Sequence, residues 1–180
     1  MSELDTLKRR FASADFLSFS EKAPGFIAID VKTAFSTASI ALQGAHVMTW
    51  QPKGQKPVIW LSKAAKFAPG KSIRGGVPLC WPWFGPHATE STYPGHGFAR
   101  TIPWLLVDAW KLPDGRVRLE FEPVMNDAAC AMWPHPSLVK NIVTIGQELE
   151  VELATTNTGQ APFPLGQALH TYFEIGDINK

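Results

Sequence analysis

The chain has 180 residues, a net charge of +1 and 18% charged residues, so it lacks the field that attracts nucleic acid or an anionic membrane. No apolar run approaches the roughly 20 residues of a membrane helix, and the first residues lack the apolar core of a signal peptide. Cys80 and Cys130 have no redox or metal spacing and are typical of a reducing compartment. We therefore expect a soluble cytoplasmic protein with a single domain over 1–180.

The pattern of apolar residues predicts a β protein. Apolar residues at i, i+3 and i+7 first predict a short amphipathic helix over 4–12. Alternation between turn signals then predicts strands at 26–31, 38–42, 47–51, 58–61, 104–110, 116–122, 138–145, 148–155 and 167–175. In the clearest of them, RVRLEFE, the apolar residues face one side and the charged residues the other. One buried and one wet face indicate an antiparallel sheet, and the whole pattern an all-β antiparallel sandwich.

A long segment, Ser72 to Arg100, interrupts the predicted strands with SIRGGVPLCWPWFGPHATESTYPGHGFAR. The prolines from Pro69 to Pro94 exclude a regular helix or a central strand through most of it. Loops of such length are usually functional or disordered. Order is favoured because large aromatic side chains must be buried, and here they are Trp81, Trp83, Phe84 and Phe98. The segment is therefore predicted to be an ordered loop that carries a functional site.

Two arginines of this loop indicate an anion as ligand. Guanidinium offers a rigid fork that matches phosphate oxygens, and Arg74 precedes Gly75-Gly76, whose amides could add donors. Glycines on both sides of His96 would let the backbone approach a ligand closely. Ion pairs, or stacking of Arg74 and Arg100 on the tryptophans, explain the arginines as well. The residues alone leave both interpretations open.

Three motifs carry a resemblance to a known family. They are IRGGVPLCWPWFGP, HGFAR and, from Ala168 to Asp177, ALHTYFEIGD. In them the chain resembles the hexose-6-phosphate mutarotases, or glucose-6-phosphate 1-epimerases, a branch of the aldose 1-epimerase family, from about Gln43 to the last residue. The resemblance implies a galactose-mutarotase-like supersandwich of two large antiparallel sheets, here incomplete. It also implies an isomerase that interconverts the α and β anomers of a hexose 6-phosphate without a metal or cofactor, and a monomer at full length.

The resemblance also implies roles for four residues. His170 matches the family's catalytic histidine and would protonate the ring oxygen, a task for which a pKa near neutrality is suited. Alternation alone would favour a satisfied core histidine at this position, and the match to the family's catalytic histidine reverses that preference. Arg74 and Arg100 would bind the phosphate, and His96 would line the sugar pocket. A histidine that bonds to loop carbonyls remains an equal explanation for His96.

Other residues receive weaker interpretations. Core packing competes with a place in the pocket floor for the three aromatic residues Tyr172, Trp83 and Phe98. The remaining histidines, His46, His87 and His135, are expected to be structural or ordinary loop residues. Glu174 and Asp177 are expected to be exposed turn acids.

The family's second catalytic residue, a glutamate that would take the C1 hydroxyl proton, has no match in this chain. In the family the sandwich continues past the position of Lys180, so we expect this chain to be the N-terminal part of a longer protein. A sugar-phosphate-binding protein without turnover therefore stands as the alternative function. A plain aldose 1-epimerase is a further alternative, against which the two arginines argue.

Overall fold

The computed structural model describes residues 1–176, so Asp177, the last residue of the third motif, lies outside the described residues. The helices are α1 (Glu3–Arg10) and α2 (Asp127–Met132). The strands are β1 (Leu17–Ala23), β2 (Phe26–Lys32), β3 (Ser36–Ala41), β4 (His46–Pro52), β5 (Leu79–Cys80), β6 (Trp104–Lys111), β7 (Val117–Pro123), β8 (Ser137–Ile145), β9 (Leu149–Asn157) and β10 (Ala168–Leu169). Neither helix is long and apolar enough to cross a membrane.

Two antiparallel sheets, ordered β1-β2-β3-β4 and β6-β7-β8-β9, enclose the core, and β5 pairs with β10 in a third, two-stranded sheet. Buried side chains from both large sheets pack in one cluster, as their alternating apolar residues require. Two buried hydrogen bonds join the sheets: Asn141 Nδ2 donates to Ala45 O at 3.0 Å, and Ser36 Oγ donates to Gly146 O at 2.7 Å. The predicted antiparallel β-sandwich is confirmed.

Sequence patterning missed three elements: β1, α2 and the two-residue strand β5, which lies in the segment predicted as a loop. In β1 only Phe19 is buried, so LSFSEKA lacks the alternation that marks a half-buried strand. Helix α2 has six residues, fewer than two turns, which is too short to show a helical period. Its start is instead set by Asn126, whose side chain accepts a hydrogen bond from Ala129 N at 2.9 Å.

The prediction of continuous strands at 58–61 and 167–175 is wrong. The second segment pairs first with β5 and then crosses to 58–60, through the isolated bridge between Ile59 and Phe173. The His170 amide donates to Pro78 O at 3.0 Å. Pro78 has no N–H group, so it cannot donate the second hydrogen bond of this pair to the His170 carbonyl. The ladder is therefore interrupted at Pro78, and next to it the Thr171 amide donates to Leu169 O at 3.0 Å within the same segment.

The long loop is ordered around the carbonyl of Trp81, as predicted. The amides of Phe98 and Ala99 donate to this oxygen at 3.0 and 3.3 Å, and Trp81 Nε1 donates to Thr155 Oγ1 on β9 at 3.0 Å. The expected burial fails at one position, because Phe84 is 55% exposed. Trp83, the preceding residue, is buried, and the chain bends over 84–86, which carries Phe84 away from the core.

Gly97 allows the close approach of the HGFAR segment to Trp81. Its φ is +72°, and a Cβ at Gly97 would overlap the carbonyl of Trp81. Gly54 has a φ of +75°, and a Cβ there would meet no atom within 4 Å, so Gly54 shares the backbone strain without the overlap.

We expect Gly97→Ala to lower the free energy of unfolding by about 2 kcal/mol or more beyond the loss caused by Gly54→Ala. Urea unfolding of both variants measures the difference. Equal losses in the two variants would contradict the packing described for Gly97.

Candidate functional site

Two histidines from distant parts of the sequence meet at the surface. The ring centroids of His96 and His170 lie 6.0 Å apart, with the ring planes at 80°. Phe84 completes the cluster, with its centroid 4.9 Å from that of His96 and 6.4 Å from that of His170. Two of the predicted site residues are thus brought together, with an exposed aromatic ring beside them.

His170 lies on one side of its segment. Its ring is exposed and stacks on Tyr172 with centroids 5.0 Å apart. Leu169, Thr171 and Phe173 face the opposite side, where they line an apolar groove. The predicted alternation around His170 is therefore present, and within 1–176 the ring is not part of the core.

His96 is fixed by hydrogen bonds to one residue. Its amide donates to Gly85 O at 2.6 Å, and its Nδ1 accepts from Gly85 N at 3.1 Å. Because Nδ1 accepts, the neutral ring carries its proton on Nε2. The prediction that His96 bonds to its own loop is therefore correct in part: the ring bonds to a backbone N–H group and not to a carbonyl. Within 1–176, Nε2 has no protein partner.

The pKa of His96 lies below its ordinary value, first through burial and then through electrostatic repulsion from Arg100 and the neighbouring His170. These effects favour the neutral ring. A neutral His96 presents an Nε2–H donor beside His170, which suits the binding of a hydroxyl group.

Arg100 lies close to His96, because it is hydrogen-bonded to the residue that precedes His96. It is half-buried, and its Nη2 donates to Gly95 O at 2.8 Å. Its Nε is buried without a hydrogen-bond partner among the described residues. Within 1–176 neither Arg100 nor Arg74 forms an ion pair with a carboxylate or lies over an aromatic ring. The ion-pair and stacking explanations for the arginines are therefore absent from this part of the chain.

Arg74 approaches the site through its backbone. Its side chain is exposed, and its carbonyl accepts from Ser62 N at 3.1 Å. Two residues later, Gly76 O accepts from Tyr172 N at 2.9 Å, which links the segments of Arg74 and His170. The expectation of a free amide at Gly76 is wrong, because this N–H donates to Trp60 O at 2.7 Å.

His46 supports this turn from the core. It is 1% exposed, and its Nε2 lies 2.9 Å from Gly75 O. Burial lowers the pKa of His46 to about 4, against the opposing effect of the bond to Gly75 and with a smaller contribution from Arg100. The ring is therefore neutral near pH 7.

The other candidates lie away from the two histidines or beneath them. His87 caps its own loop, with Nδ1 accepting from Glu90 N at 3.0 Å, and His135 stacks on Phe163. Trp83 and Phe98 are buried, so they support the loop from the core. Sequence reasoning missed the exposure of Phe84 and the contact of His46. No local pattern marked Phe84, because Trp81, Pro82 and Trp83 before it are all buried.

Residues 28–180 match the family described as Aldose 1-epimerase. The chain belongs to the aldose 1-epimerase family. This confirms the family resemblance of the three motifs.

The relatives extend the comparison. Over 143 residues the chain is 44% identical to an Escherichia coli (strain K12) protein named "Putative glucose-6-phosphate 1-epimerase", a match that covers 79% of this chain and 47% of that protein. The crystal structure of a "putative mutarotase" from Salmonella typhimurium has a TM-score of 0.83 and 37% identity, and the match covers 96% of this chain and 58% of that one. The chain spans about half the length of the curated relatives it matches.

A more distant structure shows the fold alone. A galactose mutarotase-like protein from Lactobacillus casei ATCC 334 has a TM-score of 0.61 at 21% identity, and the match covers 83% of this chain and 50% of that one. The predicted fold class, an antiparallel β-sandwich of the galactose-mutarotase-like type, is confirmed.

The pKa of His46 predicts how stability depends on pH. The pKa is about 4 in the folded protein and 6.5 for an ordinary histidine, so between these values the unfolded chain binds a proton that the folded protein does not. Stability is therefore lost as the pH falls through this window. By pH 4 the titration of His46 lowers the free energy of unfolding by about 3 kcal/mol.

We expect His46→Gln to remove this part of the pH dependence, as measured by urea unfolding between pH 7 and pH 4. His135→Gln, at the histidine stacked on Phe163, is the control and should leave the wild-type slope in place. A slope in His46→Gln as steep as in the wild type would contradict the neutral buried ring.

Proposed function

We propose that this chain forms part of a hexose-6-phosphate 1-epimerase, which interconverts the α and β anomers of glucose 6-phosphate or a close relative. The observation that carries the proposal is the meeting of His96 and His170, with ring centroids 6.0 Å apart, next to the charge of Arg100. Membership of the aldose 1-epimerase family supports the reaction. The names of the relatives support the phosphorylated substrate.

Anomers interconvert when the pyranose ring opens, rotates about C1–C2 and closes on the other carbonyl face. Opening requires a proton on the ring oxygen and the removal of the proton from the C1 hydroxyl group. His170 would supply the first proton, because its exposed ring can reach substrate and an imidazole is suited to acid catalysis near neutral pH. The stacking of Tyr172 on this ring limits its rotation.

His96 and Phe84 would hold the sugar itself. The Nε2–H of a neutral His96 can donate to a hydroxyl group near the anomeric carbon. Phe84, 55% exposed, offers an apolar face to the C–H groups of a pyranose ring. Together they would present the ring oxygen to His170.

Arg74 and Arg100 would bind the phosphate group. Guanidinium pairs with phosphate oxygens through strong, charge-assisted hydrogen bonds. The half-buried Arg100 is suited to an anion, because its Nε has no hydrogen-bond partner within the described residues. Binding of the phosphate would favour hexose 6-phosphates over the free sugar.

The base that takes the C1 hydroxyl proton has no counterpart in this chain, and we propose a carboxylate from the part of the protein that the relatives have and this chain does not span. A binding protein without turnover is not favoured, since the family is described as Aldose 1-epimerase and the relative from Escherichia coli is named "Putative glucose-6-phosphate 1-epimerase". A monomeric state and a cytoplasmic location belong to the same proposal.

We expect His170→Asn in the full-length protein to lower turnover by about 10²- to 10⁴-fold while KM changes little, because the amide cannot donate a proton but keeps the shape of the site. Two-dimensional NMR exchange between α- and β-glucose 6-phosphate measures the rate. His135→Asn serves as control and should turn over at the wild-type rate. An unchanged rate in His170→Asn would remove His170 from the mechanism.

We expect Arg74→Ala to raise KM for glucose 6-phosphate by about 10- to 100-fold, the value of a lost charged hydrogen bond, and to leave KM for free glucose nearly unchanged. The same exchange measurement on both sugars gives the two KM values. Arg9→Ala, at an exposed arginine of α1, is the matched control. Equal changes in KM for both sugars would show that Arg74 does not bind the phosphate.

A further inference from the structure

We propose that His46 is a positioning residue, which holds Arg74 and His170 in their relative places through the Gly75-Gly76 turn. The inference rests on the proposed function for the roles of Arg74 and His170. It goes beyond that function because His46, at 1% exposure, cannot itself touch a substrate.

The hydrogen bond of His46 fixes the tautomer of its ring. Gly75 O, a carbonyl oxygen, lies 2.9 Å from Nε2 and can only accept, so Nε2 carries the proton. Nδ1 is then an acceptor, and it is buried without a partner among the described residues. The ring therefore makes one directed bond, and this bond goes to the residue next to Arg74.

The same ring also occupies the space beside Gly76. A Cβ at Gly76 would overlap His46 Nε2 and the carbonyl of Val47, and φ is +103° at Gly75 and +72° at Gly76. Only glycine adopts these positive φ angles at low cost when other atoms occupy the position of a Cβ. His46 and the two glycines thus form one packed unit.

This unit is joined to both functional segments. Gly76 O accepts from Tyr172 N at 2.9 Å, and the ring of Tyr172 stacks on His170 at 5.0 Å. Arg74 precedes Gly75 directly. A shift of the turn would therefore move the guanidinium and the imidazole relative to each other, and misplacement by about 1 Å is costly for catalysis.

Two substitutions separate positioning from simple core packing. His46→Gln retains an N–H donor that can reach Gly75 O, whereas His46→Leu fills a similar volume without a donor. Loss of packing alone would lower the melting temperature in both variants and would not distinguish the two sugars. Loss of the hydrogen bond to Gly75 O should change the discrimination between the two sugars, and this change should appear only in His46→Leu.

The activity test uses the full-length protein. We expect His46→Leu to lower the ratio of KM for free glucose to KM for glucose 6-phosphate about fivefold, the value of one net hydrogen bond, and His46→Gln to restore the wild-type ratio. A wild-type ratio in folded His46→Leu, or equal ratios in both variants, would overturn the inference. If His46→Leu does not fold, His46→Asn, whose amide is too short to reach Gly75 O, takes its place with the same expectations.

A second measurement does not depend on catalysis. Amide hydrogen exchange at Gly76 and Tyr172 should become about fivefold faster in His46→Leu than in His46→Gln, with the buried amide of Leu119 in β7 as internal reference. Equal exchange at Gly76 and Tyr172 in both variants would overturn the inference. If the wild type shows no epimerase activity on hexose 6-phosphates, the proposed function fails and the exchange measurement alone decides on His46.

Discussion

The candidate site depends on the backbone hydrogen bonds of Gly76. Its N–H donates to Trp60 O at 2.7 Å and its carbonyl accepts from Tyr172 N at 2.9 Å, while the ring of His46 lies where a side chain would be. One residue thus joins segments that are more than a hundred positions apart in the sequence. Without this junction, nothing in the local sequence would place Arg74 near the segment of His170.

The aromatic residues of the long loop serve stability and function together. Trp81 is 1% exposed and Phe98 2% exposed, and their rings pack edge to face with centroids 5.5 Å apart. Burial of such side chains offsets the entropy cost of ordering a loop with little regular structure. Because Trp81 and Phe98 are anchored, Phe84 and His96 can stand at the surface in a fixed geometry, which ligand binding requires.

Local patterning predicted the strands whose two faces differ, as in β7, where Val117, Leu119 and Phe121 are buried. It failed where local signals are weak or tertiary pairing decides: β1 buries one residue, and the ladder at 167–175 is interrupted by a proline on its partner. Motifs identified His96 and His170 as candidates. The contact of His46 with the Gly75-Gly76 turn could not be predicted, because a buried strand histidine has the same local pattern whether or not its ring holds a distant turn.

A crystal structure of the full-length protein with glucose 6-phosphate tests the central claim most directly. We predict the phosphate within hydrogen-bonding distance of both Arg74 and Arg100, and the ring oxygen within reach of the His170 imidazole, with the sugar against Phe84. A sugar phosphate bound elsewhere, or the two guanidiniums and the imidazole opening onto separate cavities, would contradict this claim.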